Sequence, residues 1–75
     1  MENLRNTLTV TFKGRGHYRV SIQIEGVTYT AVTTNTMAID AYNDEDLEEG
    51  GYYESMEEAQ DALIEEVLRA NDLTL

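Results

Sequence analysis

The stretch LTVTFKGRGHYRVSIQI, residues 8–24, decides the fold. Apolar and polar residues alternate in its first part and again in its last part, and this period of two is typical of strands that bury one face. We therefore predict strands over residues 7–13 and 18–25. They form a hairpin because the connection between them is short and rich in glycine.

The register of this hairpin follows from the rule that paired residues point to the same side of a sheet. Pairing Lys13 with His17 leaves residues 14–16 as a three-residue loop, with Gly16 where such a loop needs a left-handed residue. The apolar pairs predicted on one face are Phe12 with Tyr18, Val10 with Val20 and Leu8 with Ile22. The basic segment KGRGHYR is interpreted as a hairpin turn with soluble flanks.

A second hairpin is predicted at Glu25-Gly26. A two-residue loop there pairs Ile24 with Val27 and continues the apolar face into a third strand over residues 27–33. The same register pairs Ile22 with Tyr29 and Val20 with Ala31, and it leaves Thr28, Thr30 and Val32 on the opposite face. The three strands form an antiparallel meander with one apolar face.

Residues 36–42 leave two alternatives open. Asn35 or Thr36 is placed to cap a short helix that begins at Met37, and alanine and methionine favour helices. The alternation of Met37, Ile39 and Ala41 is also compatible with a fourth strand. We favour a short helix or irregular segment over residues 36–42, followed by an acidic loop over residues 43–54.

A C-terminal amphipathic helix is predicted over residues 55–70. Ser55 and Glu58 form a capping box, Glu65 and Arg69 have a favourable spacing, and Asn71 is a candidate left-handed stop. The apolar stripe at helical spacing consists of Met56, Ala59, Leu63, Ile64, Val67, Leu68 and Ala70. Packing this stripe on the sheet gives one α+β domain over residues 1–75, a three-stranded antiparallel β-meander with the C-terminal helix on one face, in the order β-β-β-(short α)-α.

Charge divides the chain into two parts. The formal net charge is −10, but four of the five basic residues precede residue 37 and thirteen of the fifteen acidic residues follow residue 36. Such an acidic balance disfavours direct nucleic-acid or membrane binding and favours a partner of basic character. The absence of cysteine, of a signal-peptide core and of a long apolar run predicts a cytoplasmic protein.

Two segments carry a resemblance to known proteins. GHYRVSIQIEGVTYTAVTTNTMAIDAYND and GYYESMEEAQDALIEEVLRAND resemble short uncharacterised proteins of gut Bacteroidales genomes and their prophages, and this resemblance implies no known activity. The chain is also similar, more weakly, to HicB-type antitoxin domains, in which three strands lead into a helix that opens like Ser55–Ala59. The Pro-Asp-x-Pro-Gly turn of that family is missing, because this chain contains no proline.

The acidic stretch YNDEDLEEGGYYESMEEAQ is the first candidate for a functional site. It does not fit an EF-hand, since a loop begun at Asp44 puts Glu49 where glycine is needed and Ser55 where glutamate is needed. We therefore predict no metal site and no cofactor. The candidate interaction surface consists of Tyr42, Asp44, Glu45, Asp46, Glu48, Glu49, Tyr52, Tyr53, Glu58, Asp61 and Glu65.

Catalysis is not expected. The single histidine, His17, lies at a hairpin mouth, and the chain has no cysteine and no glycine-rich phosphate loop. We predict a non-enzymatic binding or accessory protein that works through protein–protein contacts, of phage or mobile-element type by resemblance. The alternative is a nucleic-acid mimic that inhibits a host defence or DNA-processing enzyme. The uncharged edge strands also predict a homodimer, or strand addition by a partner, through a sheet edge.

Overall fold

The computed structural model describes residues 2–43, Tyr53 and residues 55–74. The elements are α1 (Glu2–Thr7), β1 (Thr9–Gly14), β2 (His17–Ile24), β3 (Val27–Thr33), α2 (Thr36–Tyr42) and α3 (Met56–Ala70). The strands form one antiparallel sheet in the order β1-β2-β3. The predicted α+β class, with three strands and a C-terminal helix, is confirmed.

The hydrophobic core lies between the sheet and α3. Val20 and Ile22 of β2 are fully buried against Leu63, Ile64 and Val67 of α3. We call this side of the sheet the inner face. The helix begins as predicted, since the Ser55 hydroxyl accepts a hydrogen bond from the Glu58 amide at 3.2 Å. The buried part of the predicted stripe consists of Ala59, Leu63, Ile64, Val67 and Leu68, whereas Met56 and Ala70, at the two ends of the helix, are exposed.

The second hairpin has the predicted register. Ile24 pairs with Val27, and the pairs further along the strands are Ile22 with Tyr29 and Val20 with Ala31. Glu25 and Gly26 form the two-residue loop, with φ angles of 51° and 82°. Two successive positive φ angles are the pattern of a type I′ turn, whose twist matches that of the strands it joins.

The first hairpin corrects the predicted loop. Phe12 pairs with Tyr18 as expected, but the register then shifts, and Gly14 rather than Lys13 pairs with His17. Lys13 is the extra residue of a β-bulge, and the loop has two residues instead of three. Alternation cannot separate the two possibilities, because both leave the apolar residues before Lys13 on the same face.

The N-terminus also differs from the prediction. Residues 2–7 form α1, which was not predicted, and β1 begins at Thr9 instead of residue 7. Leu8 is buried, at 6% exposure, but the pairing with β2 begins at Thr9, so Leu8 is not paired with Ile22 as predicted. Its amide donates to the Arg5 carbonyl at 3.3 Å. The Thr7 hydroxyl accepts a hydrogen bond from the Gln23 amide at 3.0 Å. A side chain therefore pairs with this amide of β2, where the prediction placed a main-chain strand partner.

Residues 36–42 adopt the helical alternative. The Asn35 side chain caps α2 by accepting from the Ala38 amide at 3.1 Å, and Ile39 lies in the core. At the end of α3 the predicted left-handed stop at Asn71 is wrong, because Asn71 has a φ of −107°. Asp72, with a φ of 55°, takes that conformation, since it is the position at which the helix can close its last carbonyls in a Schellman motif.

Candidate functional site

The predicted acidic surface falls only in part within the described residues. Six of its members, Asp44, Glu45, Asp46, Glu48, Glu49 and Tyr52, lie outside them. The remaining five are Tyr42, Tyr53, Glu58, Asp61 and Glu65.

The two tyrosines of that surface are part of the packing. Tyr42 and Tyr53 are partly buried and lie against the hydrophobic core. The Tyr53 hydroxyl accepts a hydrogen bond from Asn35 Nδ2 at 3.1 Å, and Asn35 also caps α2. Tyr53 therefore helps to hold the start of α2 in place.

Asp61 has a structural partner that the sequence did not reveal. Arg5 Nε and Nη2 donate to the two carboxylate oxygens of Asp61, each at 2.8 Å, in a bidentate pair between α1 and α3. The hydrogen bonds from Arg5 and its positive charge hold the pKa of the Asp61 carboxyl below its usual value, against a smaller effect of burial. The two residues are 56 positions apart in the chain, so no local sequence signal indicates this pair.

Glu58 and Glu65 are exposed on α3. The spacing of Glu65 and Arg69 predicted a favourable pair, but Arg5–Asp61 is the ion pair found within the described parts of the chain. Those parts also contain no cluster of three or more histidine, cysteine, aspartate or glutamate residues able to hold a metal ion. A role of the acidic residues in recognition stays a prediction.

The side of the sheet opposite α3 is uncovered by any element within residues 2–43 and 55–74, and we call it the open face. Its side chains are exposed, apart from a partly buried Ser21. From the pairing of the strands, its members are Thr9, Thr11, Arg19, Ser21, Gln23, Thr28, Thr30 and Val32. The face is uncharged except at the end where the first hairpin turns.

That end carries a group of basic residues around a hollow. Lys13, Arg15, His17 and Val32, together with the backbone of Gly14, line an open concavity of about 510 Å³. We call these five residues the basic cleft. Its three basic side chains are exposed, and Val32 is 54% exposed. Neither Lys13 nor Arg15 forms an ion pair with the described residues.

A second, smaller concavity adjoins the basic cleft. It has a volume of about 290 Å³ and lies between β3 and α3, lined by Ala31, Val32, Glu66, Arg69 and Ala70. Val32 lines both hollows, but the second hollow contains residues of α3 and is not part of the basic cleft. Apolar and charged groups therefore meet around Val32.

From the sequence, Lys13, Gly14, Arg15 and His17 are interpreted as an ordinary hairpin turn, and Val32 is predicted on the face of the third strand opposite the apolar face. The bulge at Lys13 changes that interpretation, because it shortens the loop and brings Lys13 to the same hollow as His17 and Val32. The glycine at position 14 was the available signal. With a φ of 105°, Gly14 occupies a conformation that the predicted three-residue loop did not require of it.

Comparison of the chain with protein-family models, curated proteins and solved structures found no match. The resemblances based on the sequence segments therefore stay predictions. Among the described helices, none is long and apolar enough to cross a membrane.

Proposed function

We propose that this is a non-enzymatic binding protein that contacts a partner protein through the open face, with the basic cleft recognising an acidic segment of that partner. The observation that carries the proposal is the grouping of Lys13, Arg15 and His17 around one hollow beside the exposed Val32. Charged groups at the edge of an apolar contact are the usual composition of a protein interface. The basic partner predicted from the net charge would instead bind the acidic residues.

Charge distribution supports an acidic protein segment over a nucleic acid. The cleft and the adjacent Arg19 supply three fixed positive charges, whereas the whole chain has a net charge of −10. A long polyanion such as a nucleic acid would be repelled by this negative net charge along its whole length. A short run of carboxylates meets mainly the local field, since charges further apart than about 10 Å are screened at 0.1 M salt.

Val32 supports a packed contact in addition to charge attraction. It is a large apolar side chain that is more than half exposed on a face otherwise made of threonine, serine, glutamine and arginine. Burial of an exposed apolar side chain in a contact contributes to binding in addition to charge attraction. The open shape of the cleft favours binding over catalysis, because general acid–base chemistry depends on groups held in a protected pocket.

The experiment is a titration of the ¹⁵N-labelled protein with a glutamate-rich peptide, followed by NMR. We expect shifts at Lys13, Arg15 and Val32, and we expect Arg15→Gln to weaken binding by about fivefold, a typical effect for a residue that contributes to an interface. Arg69→Gln removes the same charge from α3 and is the matched control. It should change the affinity by less than about twofold.

Three results would contradict the proposal. Equal losses from Arg15→Gln and Arg69→Gln would show general charge attraction without a site. Shifts confined to α3 would place recognition on the helix. Tighter binding of a thymidine oligonucleotide than of the glutamate-rich peptide would replace the protein partner with a nucleic acid.

A further inference from the structure

The two edges of the sheet are not equivalent. On β3, the Thr30 carbonyl accepts a hydrogen bond from Asn71 Nδ2 at 3.0 Å, so the end of α3 already occupies part of that edge. On β1, no element of the described chain lies alongside the outer edge. The β1 edge is therefore the more accessible template for pairing with another strand.

The hydrogen bonds of β2 reveal which groups β1 presents at its edge. The Gln23 amide donates to the Thr7 hydroxyl, so the main-chain amide and carbonyl of Gln23 point toward β1. The direction of the main-chain amide and carbonyl alternates from one residue to the next along a strand. The main-chain groups of Ser21 therefore also point toward β1, where Ser21 pairs with Thr9. It follows that the main-chain groups of Thr9 and Thr11 point toward β2, while those of Val10 and Phe12 point outward from the edge.

The bond between Asn71 and Thr30 tests this assignment independently. Thr30 pairs with Ser21. Because the main-chain groups of Ser21 point toward β1, those of Thr30 must point away from β2, toward the outer edge of β3. Its carbonyl indeed bonds to Asn71, which lies beyond the sheet. The direction of the main-chain groups is thus fixed from both sides of β2.

The side chains of β1 are also only partly packed. Phe12 is 64% exposed, and its ring lies 5.3 Å from that of Tyr18 on the neighbouring strand. The helices pack over β2 and β3, which leaves the inner face unfinished along β1. Residues 6–12 carry no charge, so an identical strand would bring no like charges opposite one another.

We propose that β1 pairs in antiparallel fashion with β1 of a second copy of the chain, with the twofold axis at Thr11. Val10 then exchanges two main-chain hydrogen bonds with Phe12 of the second copy, and the symmetric pair adds two more. An axis at Val10 would require the Leu8 amide, which already donates to Arg5. An axis at Phe12 would place Val10 opposite Gly14, beyond the bulge.

This register also covers the exposed aromatic ring. Val10 lies against Phe12 of the second copy on the inner face, and Thr9 lies against its Lys13. The two sheets become one six-stranded sheet whose open face carries a basic cleft at each end.

The inference does not depend on the proposed function. The paired segment is short, so we expect a weak dimer with a dissociation constant on the order of 10–100 μM.

The first test is sedimentation of the full chain from about 5 to about 500 μM, a range that spans the expected constant. Val10→Pro removes an outward amide and leaves the bonds between β1 and β2 in place, as proline does on an edge strand. We expect it to weaken dimerisation by at least about tenfold, since two intermolecular hydrogen bonds are lost. Thr28→Pro removes an outward amide from the β3 edge and should leave the dimer unchanged.

Charge substitutions on the open face test the register. Thr11→Lys and Thr11→Glu each place like charges opposite one another at the axis, and both should weaken the dimer by about threefold. Thr9→Glu faces Lys13 of the second copy and should preserve or strengthen the dimer, whereas Thr9→Lys should weaken it. Circular dichroism of each variant establishes that the fold is kept.

The inference is overturned by a monomer throughout the concentration range. Loss of the dimer in Thr28→Pro together with its retention in Val10→Pro would move the interface to β3. A dimer that tolerates both substitutions at Thr11, or that Thr9→Glu weakens as much as Thr9→Lys, would contradict the proposed axis.

Discussion

Thr33 joins three parts of the structure through one hydroxyl group. The side chain is 2% exposed, at the end of β3. Its Oγ1 lies 2.8 and 2.7 Å from the two Glu66 carboxyl oxygens, to which it donates, and it accepts from the Asn35 amide at 3.0 Å. One buried hydroxyl therefore connects the sheet to α3 and to the start of α2.

Thr33→Val should lower the free energy of unfolding by about 1–3 kcal/mol, because it keeps the shape of the side chain but leaves the Asn35 amide and the Glu66 carboxyl without this partner. Urea unfolding followed by circular dichroism measures the change. Thr33→Ser keeps the hydroxyl and should retain more of the stability than Thr33→Val. Equal losses in the two variants would assign the effect to the methyl group.

Side-chain partners at this scale were beyond sequence reasoning. The sequence predicts Thr33 only as a member of the third strand and Asp61 as a member of the candidate interaction surface. Both residues bond to partners that are more than 30 positions away in the chain. Hydrophobic periodicity reports which face of an element is buried, but it contains no information about which polar groups meet across elements.

At the scale of elements, the two hairpins share a strained residue at the first position of the turn, which the glycines in the sequence did not indicate. Each two-residue loop begins with a charged residue at positive φ, 55° at Arg15 and 51° at Glu25, followed by glycine. Side chains other than glycine, asparagine and aspartate rarely adopt this conformation. Both loops therefore hold strain that a better turn residue would relieve.

Glu25→Asn should raise the free energy of unfolding by about 0.5–1 kcal/mol, since asparagine is favoured at the first position of a type I′ turn. Thermal unfolding measures the change. Arg15→Asn is the matched substitution in the first hairpin and should stabilise by a similar amount, but it should also weaken binding of the glutamate-rich peptide. A lower unfolding temperature in Glu25→Asn would contradict the turn assignment.

Strand pairing was the most predictable part of the fold because a buried face and short turns together set the register. The pairs of Phe12 with Tyr18 and of Ile24 with Val27 followed from these two conditions. The bulge at Lys13 and the helix α1 did not. The bulge leaves the apolar pattern intact, and α1 has only six residues, with Leu4 as its contact to the core.

The candidate site was less predictable than the fold for a related reason. The basic cleft combines residues of β1, the first turn, β2 and β3, and its shape depends on the bulge. The density of carboxylates drew attention to the acidic stretch, although Asp61 and Tyr53 take part in structural contacts. Local charge density identifies exposed regions more readily than it identifies a site.

At the scale of the whole molecule, the N-terminal helix is held to the C-terminal helix. A chain of 75 residues has a small core, and contacts that fix its ends matter in proportion. The Arg5–Asp61 pair joins α1 to α3, and Leu4 adds apolar contact with the core. The opposite end of α3 is fixed to the β3 edge by Asn71.

The Arg5–Asp61 pair should make stability depend on pH in the acidic range. The pKa of Asp61 is lower in the folded protein than in the unfolded chain, where it is about 3.9. The folded state therefore binds fewer protons, and the contribution of Asp61 is present above the unfolded pKa and is lost as the pH falls through the folded pKa. Asp61→Asn should cost about 0.5–1 kcal/mol at pH 7, because the side chain is 32% exposed and solvent screens the pair.

Urea unfolding at pH values from about 7 to about 2, a range that spans both protonation states, tests this expectation. The difference in unfolding free energy between the wild type and Asp61→Asn should shrink as the pH falls below about 4, the range in which the unfolded carboxyl takes up its proton. Glu65→Gln, an exposed position on the same helix, should change stability by less than about 0.5 kcal/mol at every pH. A difference that stays constant down to the lowest pH would mean that Asp61 contributes through shape or packing, because only the charged carboxylate loses its pairing with Arg5 on protonation.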